Sequence, residues 1–407
     1  MRRVLISVVA LAVLAAGGWW AVGPQWRAFI SDPPANGDVL FWSQSQRDAG
    51  FRLLDRIPIV ASSRVIEAGS APRPDPWADR FGAPFTPPLD MDAHFEQQRL
   101  AGLVILQDGR LRYERYGLGF SPDERWTSFS VAKSFTSTLM GAAIKDGAIG
   151  GLQDKVSAYV PGLKGSAYDA VTIEQLLTMT SGVAWNEDYD DPNSDVARFN
   201  AHSSDDGLPP IVSYMRDLPR AHPPGTVWNY STGETNLIGA VLRAAIDEPL
   251  SDYLSRKVWK PFGMAQGGSW LLSDDGLEIS GCCVQATTRD YAWFGHFILE
   301  DGAVDGVSIL PEGWLAAATR KQVDYGEAGR GYGYQWWTYD DGSFVGYGIF
   351  GQGLFIDPSR RLVIASNASW RSARGREHGE RDRREAFYQA VRGALDAEAA
   401  ATAMARE

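Results

Sequence analysis

Short apolar runs separated by turn residues lie near both ends of the chain. The segment GLVILQDGRLRYERYG (102–117) contains two such runs, which meet at Asp108-Gly109, a pair suited to a tight hairpin turn. After Gly331 come four aromatic or β-branched runs, GYGYQWWTY, GSFVGYGIFG, GLFIDP and RLVIASNAS. The pattern predicts a β-hairpin early in the chain and an antiparallel meander late in it.

Helical patterns dominate the segment between these strands. Thr172 and Gln175 form a capping-box pattern at the start of IEQLLTMT, and Thr287 or Thr288 precedes the helical pattern RDYAWFGHFIL. Strands near both ends with helices between them predict an α+β fold of the α/β sandwich type. One antiparallel sheet would be built from N-terminal and C-terminal strands and flanked by helices, with a mainly helical lobe inserted in the middle.

The C-terminal region contains a further helical pattern. From Glu385 onward, Phe387, Val391 and Leu395 lie on one helical stripe. The preceding segment, ARGREHGERDRRE, mixes both signs of charge and indicates a solvated loop.

The first 23 residues indicate export. Two arginines precede an uncharged, mostly apolar run that stops before Pro24. By the positive-inside rule these arginines remain in the cytoplasm, so the rest of the chain is expected on the periplasmic or extracellular side. A cleaved signal peptide and a retained transmembrane anchor both fit the run, and Trp19 and Trp20 favour the anchor because such residues are typical of membrane interfaces.

Composition excludes some classes of function. The 407-residue chain has a formal net charge of -11, which argues against a nucleic-acid partner. Its five histidines show no close metal-ligand spacing, so no metal is predicted, and hydrolysis by an activated serine would require no organic cofactor. Cys282 and Cys283 are adjacent; an oxidising compartment would permit a vicinal disulfide, but the ring is strained, so two small buried side chains fit better. The oligomeric state is not indicated.

Ser130 and Lys133 form a candidate catalytic pair at the start of an apolar helical pattern. A serine at a helix start lies where unpaired backbone N–H groups favour negative charge. Three residues further on, Lys133 lies on the same face, so its amine can reach the serine hydroxyl. Burial would lower the lysine pKa and allow the amine to act as a base. The alternative is a capping serine beside a lysine that extends to solvent.

Several segments, taken in order, resemble one enzyme family. SVAKSFTS is similar to the nucleophile motif of the serine β-lactamases and penicillin-binding proteins, and VTIEQLLTMTSGV resembles the segment that follows it. PPGTVWNYSTGETNLIG resembles the second motif, and GYGYQWW with GYGIFGQGLFIDPSRRLVIASN resembles the closing strands. The similarity spans roughly residues 95–395 and points to the class C-like branch, which includes 6-aminohexanoate-dimer hydrolases and family VIII carboxylesterases. It implies the fold of that family and an acyl-enzyme on Ser130.

The second motif of the family, Tyr-x-Asn, corresponds here to Tyr230-Ser231-Thr232. A phenol beside the serine can take its proton if a nearby ammonium lowers the phenol pKa, and can later protonate the leaving group. Thr232 departs from asparagine and offers the substrate a hydroxyl instead of an amide. Trp185, on the acidic segment WNEDYDDPNSD (185–195), is a further candidate substrate contact. That segment fits a solvated cleft rim better than a calcium loop.

The third motif departs further from the family. A Lys-Thr-Gly or His-x-Gly sequence is usual, and its cation helps to bind a substrate carboxylate; here the strand contains no cation. The resemblance implies one oxyanion donor at the Ser130 N–H and the other at Ile349, which follows Gly348. In the alternative register Gly351 is the motif glycine and Gln352 the donor. The missing cation favours neutral or weakly polar amides and esters.

These observations predict a serine hydrolase that cleaves a small amide or ester, with Ser130 as nucleophile and Lys133 and Tyr230 as the acid–base pair. The domain organisation would be an anchor or signal (1–23), a proline-rich linker and wrapping arm (24–90), a β-lactamase-like domain (91–398) and a tail (399–407). A non-catalytic envelope sensor or binding protein, a true β-lactamase and a DD-peptidase remain alternatives.

Overall fold

The computed structural model describes residue 19 and residues 22–69, 82–204 and 207–405. The predicted signal or anchor (1–23) lies almost entirely outside this part of the chain. Within the described ranges, no helix has the length and apolar character needed to cross a membrane. Membrane attachment and export therefore stay predictions.

Strands and helices alternate in an order that puts most helices between the early and late strands. The strands are β1 (Ser63–Ile66), β2 (Leu100–Gln107), β3 (Arg110–Tyr116), β4 (Trp126–Thr127), β5 (Gly268–Leu271), β6 (Val284–Ala286), β7 (Ala303–Val304), β8 (Val307–Ser308), β9 (Arg330–Tyr332), β10 (Trp337–Tyr339), β11 (Phe344–Gly348), β12 (Gln352–Asp357) and β13 (Leu362–Ala368). The α-helices are α1 (Pro24–Ser31), α2 (Gln44–Gly50), α3 (Met91–Gln98), α4 (Ala132–Lys145), α5 (Val156–Tyr159), α6 (Ile173–Leu177), α7 (Asp195–Arg198), α8 (Pro210–Arg216), α9 (Thr232–Ile246), α10 (Leu250–Leu254), α11 (Thr288–Leu299), α12 (Trp314–Ala318) and α13 (Glu380–Met404).

The main sheet has seven strands in the order β3-β2-β13-β12-β11-β10-β9. Every neighbouring pair is antiparallel, and the two distant parts of the chain meet where β2 pairs with β13, with Ile105 opposite Ile364. The hairpin turn occurs at Asp108 and Gly109, whose φ angles of 51° and 69° are those of a tight turn. The predicted hairpin, meander and α+β fold class are confirmed.

Side chains alternate between the two faces of this sheet, as a period of two requires. On one face, Leu362 and Ile364 of β13 belong to a core formed with α3 and α13. On the other face, Val363 and Ala365 belong to the larger core that contains α4 and α11. The helices α4 and α11 are thereby held against the sheet. The turn Phe129–Val131, which leads into α4, contacts β11.

Two predicted helix starts are confirmed and one boundary was wrong. Thr172 and Gln175 complete a capping box before α6, and the Thr287 side chain caps α11. The C-terminal helix begins at Glu380, five residues earlier than predicted, so part of the supposed solvated loop is helical. Glu380 is buried, and its carboxylate accepts a hydrogen bond from Arg371 at 3.1 Å. An acidic residue in the first turn also stabilises the helix N-terminus.

The proline-rich arm contributes to the core of the protein. Its strand β1 forms one edge of a four-stranded sheet in the order β1-β5-β6-β4. Phe51, Leu54 and Ile66 of the arm are fully buried. The Phe51 carbonyl accepts a hydrogen bond from the Thr127 N–H at 3.1 Å, which ties the arm to the strand that leads into Ser130.

Candidate active site

Ser130 lies in a tight turn between β4 and α4. Residues Phe129–Val131 form one turn of 3₁₀ helix, and α4 follows directly. The turn is fixed on its inner side because the Ser128 N–H donates to the Val284 carbonyl at 2.8 Å and the Val284 N–H donates to the Ser128 hydroxyl at 3.0 Å. Ser130 is thus held at the N-terminal end of a buried helix, as the sequence predicted.

Lys133 is 1% exposed and points at three oxygen atoms. Its Nζ lies 3.1 Å from Ser130 Oγ, 3.0 Å from Thr232 Oγ1 and 2.7 Å from the Gly281 carbonyl oxygen. Burial lowers the pKa of the Lys133 amine to about 8, although the negative charge of Glu187 opposes the shift. An amine with this pKa is neutral in a useful fraction of molecules near neutral pH.

The three partners of Lys133 suit the neutral amine. The Gly281 carbonyl can only accept a hydrogen bond, and the Thr232 hydroxyl donates its own hydrogen to Glu187 and so accepts from the lysine. These two acceptors use both N–H groups of a neutral amine. The protonated amine donates its third N–H to Ser130 Oγ at 3.1 Å; once the proton is lost, the lone pair faces the Ser130 hydroxyl, as a general base requires.

Tyr230 lies on the other side of the serine. Its hydroxyl is hydrogen-bonded to Ser130, and the Lys133 Nζ lies 5.2 Å from the centre of its ring. The ring is stacked on Trp337 at 5.4 Å. Burial, assisted by the charge of Glu187, raises the pKa of the phenol above its ordinary value. The condition under which Tyr230 could take the serine proton, a phenol pKa lowered by a nearby ammonium, is not met in this structure because desolvation dominates; the phenol in this state favours its protonated form and can donate.

Glu187 is part of this site and was missed by the sequence analysis. Its carboxylate accepts hydrogen bonds from the Thr232 hydroxyl, the Thr232 N–H at 2.9 Å, the Trp185 indole and the Tyr189 hydroxyl at 2.8 Å. Thr232 therefore bridges Lys133 and Glu187, and Trp185 orients the same carboxylate. Whether Thr232 and Trp185 also contact the substrate is not tested by the structure, and that role stays a prediction. Within the acidic segment, no spacing distinguished Glu187 from its solvated neighbours.

The third motif lies beside the serine. Gly348 and Ile349 line the same cleft as Ser130. The alternative pair is buried beneath it: a Cβ on Gly351 would lie 2.5 Å from the Trp370 indole nitrogen. The side-chain amide of Gln352 donates to the Ala368 carbonyl at 2.9 Å and accepts from the Ala368 N–H at 3.0 Å. This arrangement favours the register in which Ile349 supplies the second N–H.

The predicted residues thus converge on one cleft of about 720 Å³. Ser130, Trp185, Tyr230, Gly348 and Ile349 line it, and Lys133 and Thr232 lie behind them. Its lining carries both signs of charge, from Glu187 and Asp188 and from several arginines of the segment 374–384. A concave cleft of this volume with polar groups at its base is typical of a small-molecule site.

The two cysteines lie directly behind Lys133. The sulfur atoms of Cys282 and Cys283 lie within bonding distance of each other, as in a vicinal disulfide, and the choice between the two alternatives stays a prediction. They follow Gly281, whose carbonyl receives the hydrogen bond from Lys133. The pair therefore forms part of the support of the site.

Comparison with known proteins identifies the class. The Beta-lactamase family model matches residues 90–387, and the chain belongs to that family. A 6-aminohexanoate-dimer hydrolase from Paenarthrobacter ureafaciens is 29% identical over 346 residues, which cover 81% of this chain and 87% of the relative. The resemblance inferred from the motifs is therefore confirmed, and the protein is a member of a hydrolase family.

Solved structures share the fold. A Bacillus anthracis protein provisionally described as a 6-aminohexanoate-dimer hydrolase aligns with a TM-score of 0.71 at 21% identity, covering 85% of this chain and 94% of that one. EstCE1, a hydrolase with promiscuous acyltransferase activity, aligns with a TM-score of 0.56 at 16% identity, covering 75% and 96%. At these identities the alignments establish the serine β-lactamase and penicillin-binding-protein fold alone.

Proposed function

We propose that this protein is a serine hydrolase that cleaves a small amide or ester through an acyl-enzyme on Ser130. The observation that carries the proposal is the buried amine of Lys133, 3.1 Å from Ser130 Oγ and with a pKa lowered to about 8. A structural lysine would be expected to reach water or a carboxylate; this one faces a hydroxyl that opens into a cleft.

The proposed reaction has two halves. Lys133 takes the proton of Ser130, the serine oxygen attacks the substrate carbonyl, and the N–H groups of Ser130 and Ile349 bind the oxyanion that forms. Tyr230 gives its proton to the departing amine or alkoxide and recovers one from Lys133 as the carbonyl re-forms. Water then attacks the acyl-enzyme, loses a proton to the same pair, and releases the carboxylic acid with the serine restored.

The relatives favour a linear substrate. The Paenarthrobacter relative is named for hydrolysis of 6-aminohexanoate dimer, a flexible molecule with one internal amide. An open cleft of about 720 Å³ accommodates a chain of that size. We propose small linear amides, with esters of similar size as the less demanding substrates.

The first test is active-site labelling. A fluorophosphonate probe forms a stable covalent adduct with an activated serine, and we expect one adduct per chain, mapped by peptide mass spectrometry to Ser130. Heat-unfolded protein, in which Lys133 no longer lies near Ser130, is the control and should stay unlabelled. An adduct on another residue would displace Ser130 from the mechanism. A folded protein that stays unlabelled and turns over neither p-nitrophenyl butyrate, nitrocefin nor 6-aminohexanoate dimer would favour the sensor.

One arginine of the cleft supplies a cation that the third motif lacks. Arg384 of α13 is 7% exposed, and its guanidinium lies between the rings of Tyr347 at 4.0 Å and Trp370 at 4.6 Å. Its Nη1 donates to the Gln352 carbonyl at a long 3.4 Å, and its Nε has no hydrogen-bond partner in the described part of the chain. A buried guanidinium with unused donors is suited to a carboxylate, which can accept two hydrogen bonds in one plane.

We therefore extend the proposal to substrates that carry a carboxylate. The sequence favoured neutral substrates because β11 contains no cation, but Arg384 approaches the same cleft from a different element. Two neighbouring arginines have carboxylate partners already: Arg381 pairs with Glu327 at 2.9 Å and Arg330 with Glu385 at 3.0 Å. Arg374 and Arg376 also line the cleft, but both are exposed, whereas Arg384 is buried. Arg384 is accordingly the cation best placed to receive an anionic substrate group.

Replacing Arg384 by glutamine is expected to remove a preference for anionic substrates. The wild type should hydrolyse the mono-p-nitrophenyl ester of adipic acid, or the acetate ester of 4-hydroxybenzoate, with kcat/KM about tenfold above that of the uncharged methyl ester of the same compound. Arg384→Gln should abolish the difference and leave the uncharged compounds unaffected, and Arg384→Lys should restore part of it. Arg376→Gln, at the exposed rim of the cleft, is the matched control. A wild type without the preference for either compound would contradict this assignment.

A further inference from the structure

Two residues with left-handed backbone conformations flank the proposed oxyanion donors. Phe129, immediately before Ser130, has a φ of 41°, and Phe350, immediately after Ile349, has a φ of 57°. Bulky residues rarely adopt this region because Cβ approaches the backbone too closely. Such conformations persist where the surrounding contacts enforce them. The position of each donor N–H therefore depends on what holds these two phenylalanines.

A single side chain contacts both rings. The Phe51 ring lies 4.9 Å from that of Phe129, at an interplanar angle of 77°, and 5.4 Å from that of Phe350. The Phe129 and Phe350 rings are themselves 5.6 Å apart, so the three rings form a closed triangle. Each of the three residues is at most 2% exposed. Aromatic pairs at these distances and angles are attractive beyond the effect of burial alone.

Phe51 reaches this position from the arm, outside the predicted catalytic domain. It follows α2 directly, and its carbonyl binds the Thr127 N–H at 3.1 Å, three residues before Ser130. Arg47 of α2 lies over the Phe350 ring, with its guanidinium carbon 4.8 Å from the ring centre. The arm is therefore attached to both segments that carry the donors, and Phe51 lies where they meet.

We infer that Phe51 is a positioning residue whose ring keeps Phe129 and Phe350 in their left-handed conformations and so fixes the distance between the Ser130 and Ile349 N–H groups. Its effect on catalysis rests on the proposed function, whereas its ordering effect on the two segments does not. Donors that stabilise an oxyanion are effective only if they are in place before the charge develops. Loosening them lowers kcat more than it changes KM, because the ground-state carbonyl depends on them less.

The experiment compares two buried phenylalanines of the same arm. Phe51→Ala removes the shared ring; Phe29→Ala removes a ring whose aromatic contacts are Trp26 and Trp42. With p-nitrophenyl butyrate, we expect Phe51→Ala to lower kcat by about 10- to 100-fold while KM stays within about threefold, and Phe29→Ala to keep kcat within about twofold. Hydrogen–deuterium exchange should rise in segments 126–131 and 347–352 of Phe51→Ala and in neither segment of Phe29→Ala.

The possible outcomes test the ordering role of Phe51 and the proposed function separately. A folded Phe51→Ala protein whose exchange in both segments matches the wild type, or a Phe29→Ala protein with the same loss of kcat, overturns the inference. Should Phe51→Ala not fold, Phe51→Leu keeps most of the buried volume without the ring, and the same two readouts apply with a smaller expected loss. Increased exchange in a protein whose wild type shows neither turnover nor labelling of Ser130 would remove the proposed function and leave the ordering role of Phe51 in place.

Discussion

Replacing Lys133 by alanine is expected to lower kcat/KM by about 10³-fold in a protein that still folds. The substitution removes the amine that lies 3.1 Å from Ser130 Oγ. The phenol of Tyr230 is a poor replacement for this base, because burial raises its pKa and favours its protonated form. Steady-state kinetics with a p-nitrophenyl ester and the rate of fluorophosphonate labelling both measure the loss.

A second lysine on the same helix provides the control. Lys145, at the exposed end of α4, has no contact with the cleft, and Lys145→Ala should match the wild type in kcat/KM. Lys133→Ala leaves the Gly281 carbonyl and the Thr232 hydroxyl without their donor, but it also removes an amine whose charged form is disfavoured by burial; because these effects oppose each other, the variant is expected to stay folded. Turnover by folded Lys133→Ala within about threefold of the wild type would exclude this amine as the base.

The same amine should set the pH dependence of the wild type. With a pKa of about 8 for Lys133, about a tenth of the molecules carry the neutral base at pH 7. The lysine loses its proton as pH rises, so kcat/KM should increase through pH 8 and then level off. Lys133→Ala should lack that increase. A wild-type profile that instead falls between pH 7 and 9 would mean that the protonated amine is the active form.

The sequence was most informative where chemistry follows from local geometry. The spacing of Ser130 and Lys133 implies contact once a helix is predicted, because residues three apart share a face. The hairpin at Asp108-Gly109 likewise follows from turn chemistry that two neighbouring residues determine. Tyr230 could be assigned because its motif follows the first in the order that the family shows. For the serine–lysine pair and the hairpin the information is carried by a few neighbouring residues, and for Tyr230 by the order of the motifs.

Residues that act through the fold were harder to identify. Glu187 and Arg384 lie in charged segments whose composition indicates solvated loops, and only the tertiary structure turns one towards Thr232 and the other between two aromatic rings. Phe51 belongs to an arm with no sustained periodicity, and its contacts lie 78 and 299 positions away in the chain at Phe129 and Phe350. Contacts at such separations leave no local pattern.

The tertiary structure gives Thr232, which departs from the asparagine of the second motif, contacts that the sequence did not predict. Asparagine in the second motif would offer an amide at this position, whereas the Thr232 hydroxyl accepts from Lys133 and donates to Glu187. The carboxylate opposes the loss of the lysine proton and, together with burial, keeps the Tyr230 phenol protonated. Thr232 and Glu187 are therefore placed to adjust the protonation of the proposed acid–base pair, which the motif sequence alone does not indicate.

Gly348→Ala is expected to lower kcat/KM by about 10²-fold, the effect of losing one oxyanion donor. The φ of Gly348 is -116°, which any residue adopts, so the backbone does not demand glycine. The demand comes from close approach: a Cβ at this position would lie 2.5 Å from the Ser128 carbonyl oxygen. Because that oxygen belongs to the backbone, β11 and the turn that carries Ser130 must separate, and the Ile349 and Ser130 N–H groups separate with them.

A neighbouring glycine on the same strand distinguishes this effect from general damage to the sheet. A Cβ on Gly346 would meet the Ser134 hydroxyl at 3.1 Å, and a side chain can move aside by the few tenths of an ångström required. Gly346→Ala should therefore keep kcat/KM within about threefold of the wild type, whereas Gly348→Ala should lose kcat with little change in KM. Equal losses in the two variants would indicate disruption of β11 as a whole. Full activity in Gly348→Ala would show that the separation of Ile349 and Ser130 does not control the rate, because the added methyl group cannot be accommodated without changing it.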